Sequence, residues 1–457
     1  MSIGESKQVC SGGYLCQILK EDRISQLPDS LLCQILSHLP TKEAVTTSVL
    51  SIRWRTLWLW VSGMELDSRQ FPDNNAFLSF GDRFFDSSMV SCIHKLTIIF
   101  GRNPKNNDDS CFPSWLNAAI KRKIQRLDVR WTSKIYLHNH TLRLYNCETL
   151  VYLRLYGVLM DDAVFGVLPC LKTMHLEENC YTSEATFEKL VSSCCPVLEN
   201  LKIVASDIDG IVYRVRSPSL KRLSIERKYL VLEPYGVPGV LIDAPLLCCL
   251  TIDDHDSYSF IVKNLQSNAE LNISYLDFGL GRKLGVDESR FSSRFSNIRD
   301  FLLGISKVGN MKICLVTFKV ICGYSEQEPL PQFDYISRLC ISLDALDFKW
   351  LELFLRTCPN LKSLVLMVHD TYHFSEIYQS SFQYVPKCLV SSLEFVDFKF
   401  SIRGHDDQMK VVRYFLENSS ILKKLTLSLA NHSKKDEISK EVFEIPRSST
   451  KCEVVIV

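Results

Sequence analysis

A chain of 457 residues is longer than one ordinary hydrophobic core supports, so two or more domains or a repeat array are expected. Hydrophobic residues make up 46% and charged residues 23%, which excludes a disordered chain. The 53 basic and 52 acidic side chains leave a net charge of +1. That removes the positive excess a general nucleic-acid or acidic-membrane binder needs.

Residues 1–21 are polar, contain glycine and have no period, as in a flexible tail. The longest uncharged run, Gln8 to Leu19, has 12 residues, short of the roughly 20 a membrane span requires. Glu5 precedes it and it lacks a compact apolar stretch, so it does not read as a secretory signal either. No membrane association is expected.

A helical pattern then begins. Leu27, Leu31, Leu32, Ile35, Leu36 and Leu39 recur at the spacing of one α-helical face. Pro28 suits the first helical position and Asp29 the positive end of the helix dipole. Pro40 predicts the helix end, because the residue before proline avoids the helical region. Thr41 is placed to cap a second short helix through Ala44, Val45 and Ser48. A third helix is predicted from Leu50, Trp54, Leu57, Trp58 and Val61. Three of the chain's six tryptophans, Trp54, Trp58 and Trp60, fall in this stretch. So small a module cannot hide that much apolar surface. Part of it is expected either to pack on the next domain or to meet another protein, where large aromatics contribute most.

The segments Asp22–Leu32, Ile35–Val45 and Thr47–Trp58 closely resemble the F-box of plant F-box proteins over some forty positions. Ile52, where the family usually has lysine, and Val61-Ser62-Gly63, in place of valine-proline, are its departures. The resemblance implies a three-helix docking module over 22–67 for the Skp-type adaptor of a cullin–RING ubiquitin ligase. Carried over by position, Leu27, Pro28, Leu31, Ile35, Leu50 and Trp54 are the expected adaptor contacts. Leu32, Leu36 and Leu57 are expected to hold the helices together.

A second pattern fills residues 90–380. The string proline-x-leucine-x-x-(leucine or methionine)-x-(leucine or isoleucine), clear at Pro169–Leu176, recurs from Pro196, Pro218, Pro245 and Pro359. The second aliphatic position runs through Leu127, Leu153, Met174, Leu201, Leu223, Leu250 and Leu271, at steps of 26, 21, 27, 22, 27 and 21 residues. Repeats of this length are the mark of leucine-rich arrays. Alternate aliphatic residues make a short strand with one buried face, and a stack of such strands makes a continuous core. The array resembles the leucine-rich repeats of the same plant family. Helices are predicted before Pro196 (Ala185, Phe187, Leu190, Val191) and before Pro359 (Trp350, Leu353, Phe354, Leu355), while the shorter connections are expected to be irregular or single-turn. The stretch 279–335 shows strand-like character from Met311 to Val320 but no clean repeat. Its basic residues, Arg282, Lys283, Arg290, Arg294 and Arg299, read as a solvated linker face, with a phosphate- or nucleic-acid-contacting patch as the alternative.

Residues 385–457 resemble the FBD region of the same proteins, through Val385–Glu394, Val411–Ser419, Leu422–Leu427 and Ile445–Ser449. They read strand, helix, strand, helix, strand, a segment able to cap the end of a parallel sheet. The expected architecture is therefore α/β: a small three-helix F-box, a leucine-rich-repeat solenoid with a curved parallel sheet, and a carboxy-terminal α/β FBD cap.

Catalytic chemistry is not indicated. Asp253-Asp254-His255-Asp256 follows a strand and reads as a polar loop. His138-Asn139-His140 lacks a third metal ligand, and Gly279–Gly285 misses the phosphate-loop spacings. The 18 cysteines include no pair separated by two residues, and many sit in apolar stretches, so reduced, buried thiols in the cytosol or nucleus are expected. No metal or cofactor is expected. By resemblance the chain is a target-recognition subunit of a Skp–cullin–F-box ligase, partnered by adaptor, cullin and an unidentified target protein. A non-degradative scaffold and a small-ligand receptor are the alternatives. Residues sent away from the core by strand alternation form the expected target surface. They are Arg126, Asp128, Arg130, Tyr152, Arg154, Tyr156, His175, Glu177, Lys202, Arg222 and Glu226.

Overall fold

A computed structural model describes residues 23–457, except residue 91 and residues 102–111, 133–146, 162–165, 207–209, 229–238, 281–287, 345–347, 369–383, 403–405 and 430–434. The expected tail 1–21, the His138–His140 motif and most of Gly279–Gly285 lie outside the described residues.

Alternating side chains dictate the architecture. Among the described residues fifteen strands lie side by side in one parallel sheet, from Gly63–Asp67 at one end to Glu453–Ile456 at the other. The short strand Leu159–Met160 pairs alongside. The repeat ruler read from the sequence is a physical row. Leu127, Leu153, Met174, Leu201, Leu223, Leu250 and Leu271 are successive partners across the sheet. The row continues through Met311, Leu339, Leu364, Val396, Leu425 and Val454. Two residues on, Val129, Leu155, Leu176, Ile203, Ile225, Ile252 and Ile273 make a second buried row. Both rows belong to one continuous core, and complete burial of each aliphatic rung contributes roughly 1.5–3 kcal/mol.

Helices cover this core where the connections are amphipathic. Glu184–Ser192 starts at Ser183, whose hydroxyl accepts the Thr186 N–H at 3.2 Å, and buries Phe187, Leu190 and Val191. A helix at Phe348–Arg356 buries Leu351, Phe354 and Leu355. The 22- and 21-residue connections after Leu201 and Leu250 depart from the expected irregular or single-turn form, and the 27-residue connection after Leu223 shares their conformation. Each carries a strand, Val212–Arg216, Gly239–Asp243 and Ser259–Lys263, and the three form a second parallel sheet. Length did not decide the outcome, since the 27-residue connection forms a strand as readily as its shorter neighbours. Alternation did: Tyr213, Val215, Val240, Ile242, Phe260 and Val262 all point into the core.

The stretch without a visible repeat is also regular in space. A long helix, Glu288–Gly304, leads into the strand Asn310–Ile313, which keeps both buried rows in register. The predicted strand character stops at Ile313, because Leu315–Ser325 is helical. The last residues continue the sheet as strand Phe395–Ile402, helix Asp406–Asn418, strand Lys424–Leu429, helix Lys435–Glu444 and strand Glu453–Ile456. The solenoid thus closes on a four-residue edge strand, short enough to offer little template for pairing.

The amino-terminal module joins this sheet without a linker, since the first strand starts at Gly63 and Glu65 donates its backbone N–H to the Thr41 hydroxyl at 2.8 Å. Thr41 therefore does not cap the second helix, Thr41–Thr46; Pro40 holds that position. The predicted third helix is replaced by two short 3-10 turns, Thr47–Val49 and Leu57–Trp60, with irregular turns between.

Candidate functional site

Two surfaces carry the features a binding protein needs. The first is the amino-terminal module. Leu32, Leu36, Ala44, Trp54 and Leu57 form its own small core, with Leu27 and Val61 packed against it. Leu32, Leu36 and Leu57 hold the module together, but Trp54, assigned to the docking surface from sequence, joins them and is only 6% exposed. The indole is the largest side chain available to fill so small an interior. Trp58 also turns inward and stacks on Phe80 and Phe84 of the following helix, with ring centroids 6.0 Å away in each case.

What remains outside is aliphatic. Leu31 and Ile35, one turn apart on the helix Asp29–Leu36, are each 44% exposed, and Leu50 is 65% exposed. Pro28 is exposed and Leu27 half-buried. Sequence reasoning missed Val49 and Ile52, at 80% and 83%. The helical pattern concealed them, because it assumed a regular helix where the chain makes turns. Arg53, also missed, ties this segment to the first helix. It donates to the Asp29 carboxylate at 2.7 Å, the Ser25 carbonyl at 2.6 Å and the Leu27 carbonyl. A salt-linked clamp thus ties the segment that carries Val49, Leu50 and Ile52 to the start of the helix that carries Leu31 and Ile35.

The second surface is the sheet face opposite the helices. Strand register brings Arg126, Asp128, Arg130, Tyr152, Arg154, Tyr156, His175 and Glu177 together on adjacent strands. Lys202, Arg222 and Glu226 stand on the next two. The first group is internally compensated. Arg130 meets Asp128 at 2.6 Å, Arg154 meets Glu177 at 2.6 Å, and Arg154 reaches Asp128 at 3.9 Å. The Arg126 guanidinium covers the Tyr152 ring at 4.4 Å, and the Tyr152 hydroxyl meets His175 Nδ1 at 3.2 Å. Glu177 is only 8% exposed, and burial holds the His175 imidazole below its ordinary value. At the sheet end, a side-chain hydrogen bond from Arg69 keeps the Asp67 carboxyl below the usual carboxylate range.

The acidic motif at Asp253–Asp256 is not a polar loop. Asp254 and Asp256 are fully buried. The Asp254 carboxylate accepts the N–H groups of Asp256 and Ser257 and the Ser257 hydroxyl, and it lies 3.8 Å from buried Arg227. This closes a turn at the end of the strand Cys249–Asp254. The described cysteines are free thiols, but not all are buried: Cys194, Cys195 and Cys358 are, while Cys170 and Cys248 are exposed. Burial raises the Cys358 thiol to about 12, which makes it unreactive. No described helix is long and apolar enough to cross a membrane.

Comparison with known proteins accounts for this arrangement. The F-box domain family matches residues 24–64. Repeats described as those of the FBD-associated F-box protein At5g56370 match residues 112–259, and the FBD family matches residues 380–427. The putative FBD-associated F-box protein At5g53635 of Arabidopsis thaliana is 52% identical over 439 residues, covering 95% of this chain and 100% of that protein. The putative F-box/FBD/LRR-repeat proteins At2g05300 and At5g25850 of the same plant are 52% and 47% identical, covering 98% and 92% of this chain and 99% and 92% of their own lengths. With its exposed amino-terminal face, its ladder of aliphatic rungs and its carboxy-terminal strands, the chain belongs to the F-box/FBD/LRR-repeat proteins.

Proposed function

We propose that this protein is the target-recognition subunit of a Skp–cullin–F-box ubiquitin ligase. Its amino-terminal module docks the Skp-type adaptor, and the open face of its repeat array holds a protein destined for ubiquitin transfer. The chain performs no bond chemistry itself. It raises the effective concentration of the target near an enzyme bound elsewhere on the ligase. Such a complex works in the cytoplasm or nucleus.

The observation that carries this reading is the exposure of Leu31, Ile35, Val49, Leu50 and Ile52 on a module whose interior is already filled. Large aliphatic side chains left exposed on so small a module are costly in water and point to an interaction site. Leu31→Asp with Leu50→Asp should abolish co-purification of adaptor and cullin without altering the thermal melt. Retention of the adaptor by that folded double variant would overturn the docking assignment.

A further inference from the structure

The compensated charges around Arg154 are a poor place to seize a charged partner, because an incoming group would have to displace existing ion pairs. The same sheet face offers a different site farther along. A hollow of about 740 Å³ opens over the strands from Glu270–Leu276 to Phe395–Ile402. Lys312, Arg338 and Lys362 line it on three adjacent strands and their entry turns. Among the described residues none of these three cations makes an ion pair. Of the two carboxylates at the rim, Glu394 is held by Lys423 at 2.8 Å, and Asp397 beside the hollow is held by Lys399 at 2.9 Å, so among the described residues Glu270 is the rim carboxylate left without an ion pair. Phe395 stands in the wall and is 43% exposed. Asn310, Ser337 and Ser363 supply neutral hydrogen-bonding groups between the cations.

We infer that this hollow is the target-binding subsite, and that it takes an extended acidic segment of a protein partner. Carboxylates would meet Lys312, Arg338 and Lys362, and an apolar side chain nearby would cover Phe395. Strand spacing of about 4.8 Å places the cations within the reach of a few residues of extended chain running across the strands. Charges that are unpaired before binding need not be separated first, so complementary charge here contributes to both association rate and specificity. The exposed ring adds the apolar anchor that such interfaces use. The inference rests on the target-recognition reading, and it narrows the partner to a class of sequence.

The test is selection of peptides from a displayed random library on the full-length protein, with an Arg338→Glu, Lys362→Glu variant in parallel. Recovered peptides should carry two or more Asp or Glu residues close to one aromatic or large aliphatic residue. They should bind the variant at least about tenfold more weakly, and binding should fall as salt rises through the range that screens exposed charges. A Lys263→Glu variant, altered in the second sheet, should bind them normally. Recovery of basic or uncharged peptides, acidic peptides that bind the variant equally well, no enrichment, or displacement of the peptides by single-stranded RNA at lower concentration than by an acidic peptide would each overturn the inference. Adaptor capture by the same variant reports separately on the ligase assignment, because Arg338 and Lys362 are remote from the amino-terminal module.

Discussion

Trp58 lies parallel to Phe84, with their rings 6.0 Å apart and 23° from coplanar. This contact joins the docking module to the helix Asn74–Asp86. It gives the amino-terminal face a fixed direction relative to the sheet; under the proposed function, a target held by the array would then be presented at a set place relative to the adaptor. Trp58→Ala should loosen that junction, costing about 2 kcal/mol for a half-buried indole. Limited proteolysis should show new cleavage between the module and residue 74, while the isolated adaptor is still bound.

Trp54 should behave differently from the exposed aliphatic residues. Trp54→Ala removes the centre of a five-residue core and should cost about 3–5 kcal/mol, more than so small a module tolerates. Chemical denaturation should show loss of the module as a unit, with adaptor binding lost as a consequence. Ile52→Ser, at the most exposed position, should weaken adaptor capture and leave the denaturation curve unchanged.

Gly81 faces the Trp115 ring so closely that a methyl group there would collide with it. That indole cannot retreat: it is buried, stacks on Phe85, and its Nε1–H donates to Asp82 at 2.7 Å. Gly81→Ala should destabilise the protein by about 1–3 kcal/mol through overpacking, although alanine is the better helix former. A lowered melting temperature checks this.

Arg154 reaches two carboxylates, and Glu177 beneath it is nearly sealed from water. Arg154→Ala should cost about 2 kcal/mol, mostly by stranding Glu177, and adding Glu177→Gln should recover much of it. The double-mutant cycle measures the coupling directly.

His175 should make stability depend on pH. Burial lowers its folded value below the ordinary one of about 6.5. As pH falls through 6.5 the unfolded chain takes up the proton first, so stability declines until the pH passes below the folded value. Above about 6.5 both states are neutral and this contribution is flat. Comparing melts at successive pH values, His175→Gln should reduce the slope on the acid side of 6.5.

Much of this architecture was legible in the sequence. The ladder from Leu127 to Leu271 could be counted by spacing alone, because one buried face imposes alternation wherever a strand joins the sheet. The motif-bearing segments named the amino- and carboxy-terminal regions, and Leu32, Leu36 and Leu57 were correctly placed inside the first. Tertiary structure decided what covers each apolar face. Spacing cannot distinguish Trp54, which fills a core, from Leu50, which faces water, because both satisfy the same helical period. Nor can it show that Arg154 is neutralised by Glu177, 23 residues away, while Lys312 and Arg338 make no ion pair among the described residues. Those outcomes depend on register between strands far apart in the chain, and only folding brings the partners within reach of one another.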